Sequence, residues 1–138
     1  MMEELIKKMK EDPFARYLGV SIDEVRQGYA QVSMEIKDHL LNFNGSTNGG
    51  AIFSLADIAF ACASNSHNQI AVGITMTMHY IKASVVGEKL IAVAQEETDP
   101  HRLGLYRIVV LNDNEEIIAL AEGMVYRKKG TVVSVPTQ

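Results

Sequence analysis

Residues 49–66, GGAIFSLADIAFACASNS, decide how the chain is read. The stretch has helical length, few β-branched side chains, and Asn48 immediately before it where an N-cap belongs. Ser54, Asp57 and Ser64 fall with Ala61 on one narrow stripe, and the remaining positions are small or apolar nearly all round. A helix of that kind is buried on most sides. The charge pattern around it agrees. Residues 39–81 carry one formal charge, Asp57, whereas the whole chain has 13 Lys+Arg, 17 Asp+Glu and a net charge of −4.

Outward from the helix the period changes from 3.6 to 2. On the N-terminal side, Leu5, Ile6 and Met9 mark a short helix that stops near Asp12-Pro13. Gly19 then opens a strand through Val20, Ile22 and Val25, Gln27-Gly28 turns, and Ala30, Val32, Met34 and Ile36 alternate with polar residues. On the C-terminal side, four strands are expected, over Val72–Tyr80, Lys89–Glu97, Leu105–Leu111 and Glu116–Arg127. Short connections between them suggest antiparallel hairpins. The order is a short helix over residues 1–13, two strands, one buried helix and four strands. One sheet wrapped round a central helix satisfies it, an α+β fold within a single domain over residues 1–138.

Composition removes several classes. The apolar run Ala51–Ala63, broken by Ser54 and Asp57, falls short of the roughly 20 residues that cross a membrane. A sequence pI of about 5.5 argues against a nucleic-acid partner, which needs a basic face. The N-terminal MMEELIKKMKEDP lacks the apolar segment of a signal peptide, and the lone Cys62 forms no internal disulfide. The expected compartment is the cytoplasm.

Asp57 is the first candidate for chemistry. An unpaired carboxylate in an apolar helix costs several kcal/mol after relaxation, so it needs solvent, a partner or a purpose. Two readings stand: a stripe facing water, or a general base or nucleophile in a cleft. The loop Asn42-Phe43-Asn44-Gly45-Ser46-Thr47-Asn48-Gly49-Gly50 is the second candidate. Free N–H groups and the helix dipole at a Gly-Gly start favour an anion or an oxyanion, although plain capping explains the loop equally well. Asp57 lies eight residues past Gly49, roughly 12 Å along the axis at 1.5 Å per residue. One small reacting group cannot touch both within one chain. If they cooperate, two antiparallel copies of the helix must meet.

The pattern Asn42-x-x-Gly45-x-x-Asn48-Gly49-Gly50 followed by Leu55-Ala56-Asp57 resembles the hotdog-fold acyl-CoA thioesterases of the phenylacetic-acid-degradation (PaaI) type, within the 4-hydroxybenzoyl-CoA thioesterase superfamily. Tyr80-x-Lys82-Ala83 and Gly87-Glu88-x-Leu90 are similar to that family too. The resemblance implies an antiparallel sheet round a long helix, a homodimer as the minimal active unit, and a homotetramer. It makes Asp57 the base or nucleophile, puts the Gly49 N–H on the thioester oxygen, and lets Asn42 orient substrate or water. It also implies a coenzyme A groove along Gly73, Thr75 and the Lys82, Ala83, Ser84 and Gly87 segment, beside Gly50, with His101 and Arg102 nearby. Coenzyme A enters as part of the substrate, and no separate cofactor or metal is implied. Where the family usually has His, this chain has Asn48, an amide that caps but does not titrate. Two other readings on the same fold are a non-catalytic acyl-CoA-binding module and a dehydratase or hydratase; for the latter, neither His39 nor His67 sits at a matching position.

Other residues have plainer explanations. Cys62, between Ala61 and Ala63, reads as an inert core thiol. Met76 and Met78 share a strand face and read as core. Arg127, Lys128 and Lys129 read as a solvated strand end, with contact to coenzyme A phosphates as the alternative. The four histidines show no metal-ligand spacing.

Overall fold

The computed structural model describes residues 1–134; Pro136, expected at an edge or turn, lies outside them. Helix α1 (Met2–Lys10) and helix α2 (Pro13–Leu18) precede strands β1 (Val20–Arg26) and β2 (Tyr29–Glu35). A 3-10 turn at Asp38–Leu40 leads through the loop to the central helix α3 (Gly49–Ser64). Strands β3 (Ala71–Tyr80), β4 (Lys89–Glu96), β5 (Leu103–Leu111) and β6 (Ile117–Arg127) complete the chain. They form one six-stranded antiparallel sheet in the order β1-β2-β4-β5-β6-β3.

Helix α3 forms where the sequence places it, and the Asn48 side chain caps it by accepting from the Gly50 N–H at 2.7 Å. It ends at Ser64, two residues earlier than its pattern suggests. Asn65 stops it, since its amide donates to the carbonyls of Ala61 and Ala71 while its oxygen accepts from the Ala71 N–H. Leu55, Ala56, Ala59 and Ala63 are wholly buried against the sheet, whose strands contribute Ala30, Val32, Leu90, Ala92 and Ile108 at period two. Phe60 reaches furthest across. Its ring stacks edge-on with Tyr106 (5.7 Å, 68°), and a Cβ at Gly73 or Gly123 would come within 3.1 or 2.8 Å of it. Those two glycines are therefore needed for packing.

Three expectations require correction. Residues 13–18 form a second helix beyond the stop expected at Asp12-Pro13. Asp12 caps it by accepting from the N–H groups of Phe14 and Ala15, Pro13 starts it, and Gly19 ends it at φ +78°. The chain from β3 to β4 does not make a hairpin. β4 pairs with β2 and β3 pairs with β6 at the sheet edge. The 81–88 connection is held at both ends, with Ile81 and Lys82 N–H groups on the Ile118 carbonyl and the Gly87 N–H on that of Ile36. Finally, the period of two expected along β3 does not set its burial. Met76 and Met78 do pack on the core, but Val72 and Ile74 stay exposed because no strand covers that edge and a bulge between Gly73 and Thr75 breaks the register.

Candidate active site

The loop before α3 is built by its own side chains. Asn42 Oδ1 accepts from the N–H groups of Asn44 and Ser46 at 2.9 and 3.2 Å, closing an Asx-type turn that Gly45 completes at φ +84°. Thr47 is buried and bonds the 81–88 segment twice, N–H to the Ser84 carbonyl and hydroxyl to the Ser84 hydroxyl, each at 2.9 Å. The loop therefore delivers residue 48 at a fixed angle to α3. Asn48 then occupies the Gly50 N–H, while the Gly49 N–H, first in the helix, makes no hydrogen bond among the described residues. Tyr80, which the sequence shows only as part of the Tyr80-x-Lys82-Ala83 motif, donates its hydroxyl to the Gly49 carbonyl at 3.0 Å and sets its ring beside the glycine. A side chain at 49 would press on that ring, 3.4 Å from the position of its Cβ.

Two turns further on, Asp57 projects from the α3 face that the sheet leaves open. It is exposed, as is Ala61 one turn beyond, whereas Ser64 is buried with its hydroxyl on the Ala61 carbonyl. The polar stripe is thus shorter than its spacing suggests. The Asp57 carboxyl is held above the ordinary aspartate value of 3.8, first by partial desolvation on the helix face and then by the negative charge of Asp12. No cationic side chain pairs with it among the described residues.

The remaining expected contacts divide into two groups. Gly50 follows Gly49 in α3, Lys82 and Ala83 follow the Tyr80 end of β3, and Ser84 bonds Thr47 in the loop, while Gly87 lies farther on at the end of β2, its N–H on the Ile36 carbonyl. Lys82 forms an ion pair with Glu116, which lowers the Glu116 pKa through that hydrogen bond and one from Asn112. His101 and Arg102 lie at the Ala71 end, where Arg127 pairs with Ala71. The ten-residue strand β3 separates the ends by roughly 30 Å at about 3.3 Å per step. Gly73 and Thr75 sit between them on the exposed edge. Within one chain these groups do not meet.

The Ala71 end also holds what the sequence concealed. Arg127 is 4% exposed and is no solvated strand end. Its guanidinium donates to the His101 carbonyl at 2.6 Å, to Glu96 at 3.2 Å and to the Tyr106 hydroxyl at 2.8 Å, while Tyr106 and His67 also bond Glu96. Burial raises the Tyr106 pKa, and the bond to Glu96 adds to the shift. Lys128 and Lys129 remain exposed. Cys62 is buried, and desolvation pushes its thiol up to about 12, so it is no nucleophile. No group of three or more His, Cys, Asp or Glu side chains suited to a metal occurs among the described residues, and no helix there is long and apolar enough to cross a membrane.

Comparison with known proteins gives the arrangement its family. The thioesterase superfamily model matches residues 44–119, which span the loop, α3 and most of the sheet. The acyl-coenzyme A thioesterase PaaI of Escherichia coli is 36% identical over 121 residues, 88% of this chain and 86% of that protein. The solved structure of the E. coli PaaI protein from the phenylacetic acid degradation operon superposes with a TM-score of 0.91, covering 96% of both chains at 33% identity. The TT0310 protein of Thermus thermophilus superposes at 0.82, over 86% of this chain and 99% of that one, at 34% identity. With a sheet wrapped round α3, an open N–H at its start and a carboxylate on its free face, the chain belongs to the thioesterase superfamily, as a hotdog-fold thioester hydrolase of the PaaI type.

Proposed function

We propose that the chain hydrolyses acyl-CoA thioesters at a site shared by two antiparallel copies. The Gly49 N–H of one binds the thioester oxygen, and Asp57 of the partner subunit activates the attacking water. The observation that carries this reading is the separation of an unpaired N–H at Gly49 from an exposed, pKa-raised Asp57 two turns along the same helix. Similarity to an E. coli acyl-CoA thioesterase supports the substrate class.

In the reaction the water oxygen bonds the thioester carbon and its proton passes to the Asp57 carboxylate. The carbonyl oxygen gains the charge, which the Gly49 N–H and the α3 dipole stabilise more than they do the ground state. Collapse expels the coenzyme A thiolate, which takes up a proton, and leaves the free acid. Direct attack by Asp57, through an anhydride that water then opens, uses the same placement. Asn48 serves as the cap that directs Gly49, and Asn42, whose oxygen the loop occupies, has its amide nitrogen left for substrate or water. No cofactor is invoked.

Two copies also reunite the divided contacts. Antiparallel pairing of β3 edges puts His101 and Arg102 of one copy at the end where the other presents Lys82, Ala83 and Gly87. Exposed Val72, Ile74, Tyr80 and Ile81 give that edge an apolar surface to cover. Two such dimers form a homotetramer, for which the half-buried Val93 and Val109 on the outer sheet face offer contact. The cytoplasm is the compartment we assign.

Asp57→Asn tests the assignment. Thiol release from acyl-CoA should fall by roughly two orders of magnitude or more, as removal of a general base does, with the oligomer intact. Unchanged kinetics would remove Asp57 from the mechanism.

A further inference from the structure

The sheet face turned away from α3 carries a cavity of about 570 Å³ over β1, β2 and the start of β4. At its base is Ser33. Met34 and Leu90 point into the core, so Ser33 and Lys89, each one residue earlier, point outward. Ser33 is 3% exposed, yet its hydroxyl makes no hydrogen bond among the described residues. It is not sealed in either, since Arg127 Nε alone is fully buried without a partner among those residues. What surface it keeps opens into the cavity that it lines.

Charged side chains from separate elements share that lining. Arg16 comes from α2, Lys37 from the chain just past β2, and Lys89 from β4. Arg16 engages only its Nε, on the Lys10 carbonyl at 3.1 Å, and neither lysine pairs with a carboxylate among the described residues. Glu35 and Asp113 line the cavity too and are likewise unpaired there, and the His39 imidazole lies with them.

We propose that this cavity binds a small phosphorylated molecule, with its phosphate on the Ser33 hydroxyl and the Arg16, Lys37 and Lys89 cations. A single carboxylate would leave most of that positive charge unmatched. A phosphate monoester carries close to two negative charges at neutral pH and several strong acceptor oxygens, and the free Nη groups of Arg16 suit it in a two-pronged contact. Glu35 and Asp113 then accept from hydroxyl or amino groups on the rest of the molecule. The volume falls within the roughly 300–1,000 Å³ of small-molecule pockets, so it admits more than the phosphate alone. The site is separate from the proposed thioesterase centre and does not rest on that reading. The sheet stands between it and α3, and β2 lies four strands from β3, roughly 19 Å at about 4.8 Å per strand.

The test follows backbone amide shifts of the isotope-labelled full chain during titration with inorganic phosphate at constant ionic strength. Shifts at Ser33, Lys37 and Lys89 should saturate. Ser33→Ala and Lys89→Gln should each weaken binding roughly tenfold or more, the scale of one hydrogen bond to a charged group. Lys128→Gln, an exposed charge at the opposite end of the sheet, should leave binding within about twofold of the parent, because solvent screens it. Coenzyme A, added in equal amount to the chain, should leave the phosphate shifts at Ser33 and Lys89 in place. Displacement of phosphate by coenzyme A would make the cavity part of an acyl-CoA site and overturns the proposal. So do shifts that never saturate, saturable shifts confined to Gly49 or Arg102, or binding that either Ser33→Ala or Lys89→Gln leaves unchanged. Thiol release is no part of this readout, so the thioesterase reading stands or falls separately. If one of the two variants fails to fold, the other decides alone.

Discussion

Replacing Arg127 by leucine removes the charge that holds the Ala71 end of the sheet together. The side chains of Arg127 and Glu96 are 2% and 12% exposed, so the carboxylate would lose its partner where water scarcely reaches it. Breaking a buried pair by deleting one member costs about 3–5 kcal/mol. Against that, Arg127 Nε is buried without a hydrogen-bond partner among the described residues, and truncation relieves a penalty of about 1–3 kcal/mol. The expected net loss is therefore about 2 kcal/mol, the middle of a range of about 0–4, against a typical total of about 5–15. At a urea m-value of about 1–3 kcal/mol per molar, the midpoint should drop by roughly 1 M. The assay is urea unfolding at pH 7, completed as a cycle with Glu96→Leu. In the double variant no charge is orphaned, so the coupling should be about 0.5–3 kcal/mol. A loss below about 1 kcal/mol with no coupling would show that the network is not held as the hydrogen bonds describe.

Two further outcomes follow from single side chains. The Asp57 pKa is raised in the folded chain, so its protonated form is favoured on folding. Its contribution to stability is complete below the unfolded value near 3.8 and is lost as pH rises through the folded one. Asp57→Asn should therefore melt slightly above the parent at pH 7 and level with it in acid below 3.8, and a lower melting temperature at pH 7 would refute the desolvation argument. Cys62 should resist a thiol reagent at pH 8 in the native state and react promptly in urea, because burial and a pKa of about 12 leave almost no thiolate. Rapid native labelling would contradict its place in the core.

The parts that were legible in the sequence are those fixed by local rules. Asn48 as cap, the alanine-rich run after it and the period-two strands each carry their signal within a few residues. Helix α2 shows that a signal can be present and still missed. Asp12, Pro13 and Gly19 punctuate it fully, but six residues are too few for a 3.6-residue period to register. Strand order was hidden because the β2–β4 and β3–β6 pairings are non-local, and connection length alone misled at 81–88. Arg127 was hidden for the same reason. In Arg127-Lys128-Lys129 three cations look alike, and only Glu96 and Tyr106, brought from 31 and 21 residues away, distinguish the first. At the site, the sequence displayed Asp57 and Gly49 but not the Tyr80 hydroxyl on the Gly49 carbonyl.

The stretch 39–81, with Asp57 its one formal charge, is only half explained by folding. Helix α3 packs its apolar face on the sheet, but β3, which has no charged residue, ends with its hydrogen-bonding edge and Val72, Ile74 and Tyr80 in the open. Such an edge is normally blunted by charge, proline or a cover, and β3 between Ala71 and Tyr80 has no charged residue and no proline. A second copy is the cover that the proposed shared site also requires, which makes one substitution decisive. Ile74 is 51% exposed, so Ile74→Glu should change the stability of the separate chain by no more than about 0.5 kcal/mol. Across a two-fold axis the same change sets carboxylates facing one another and should shift the dimer toward monomer in sedimentation. Activity per chain should fall in step and recover as protein concentration is raised. A monomeric variant with full activity would mean that Asp57 and Gly49 never depended on a partner, and the separation of roughly 12 Å between them would need another explanation.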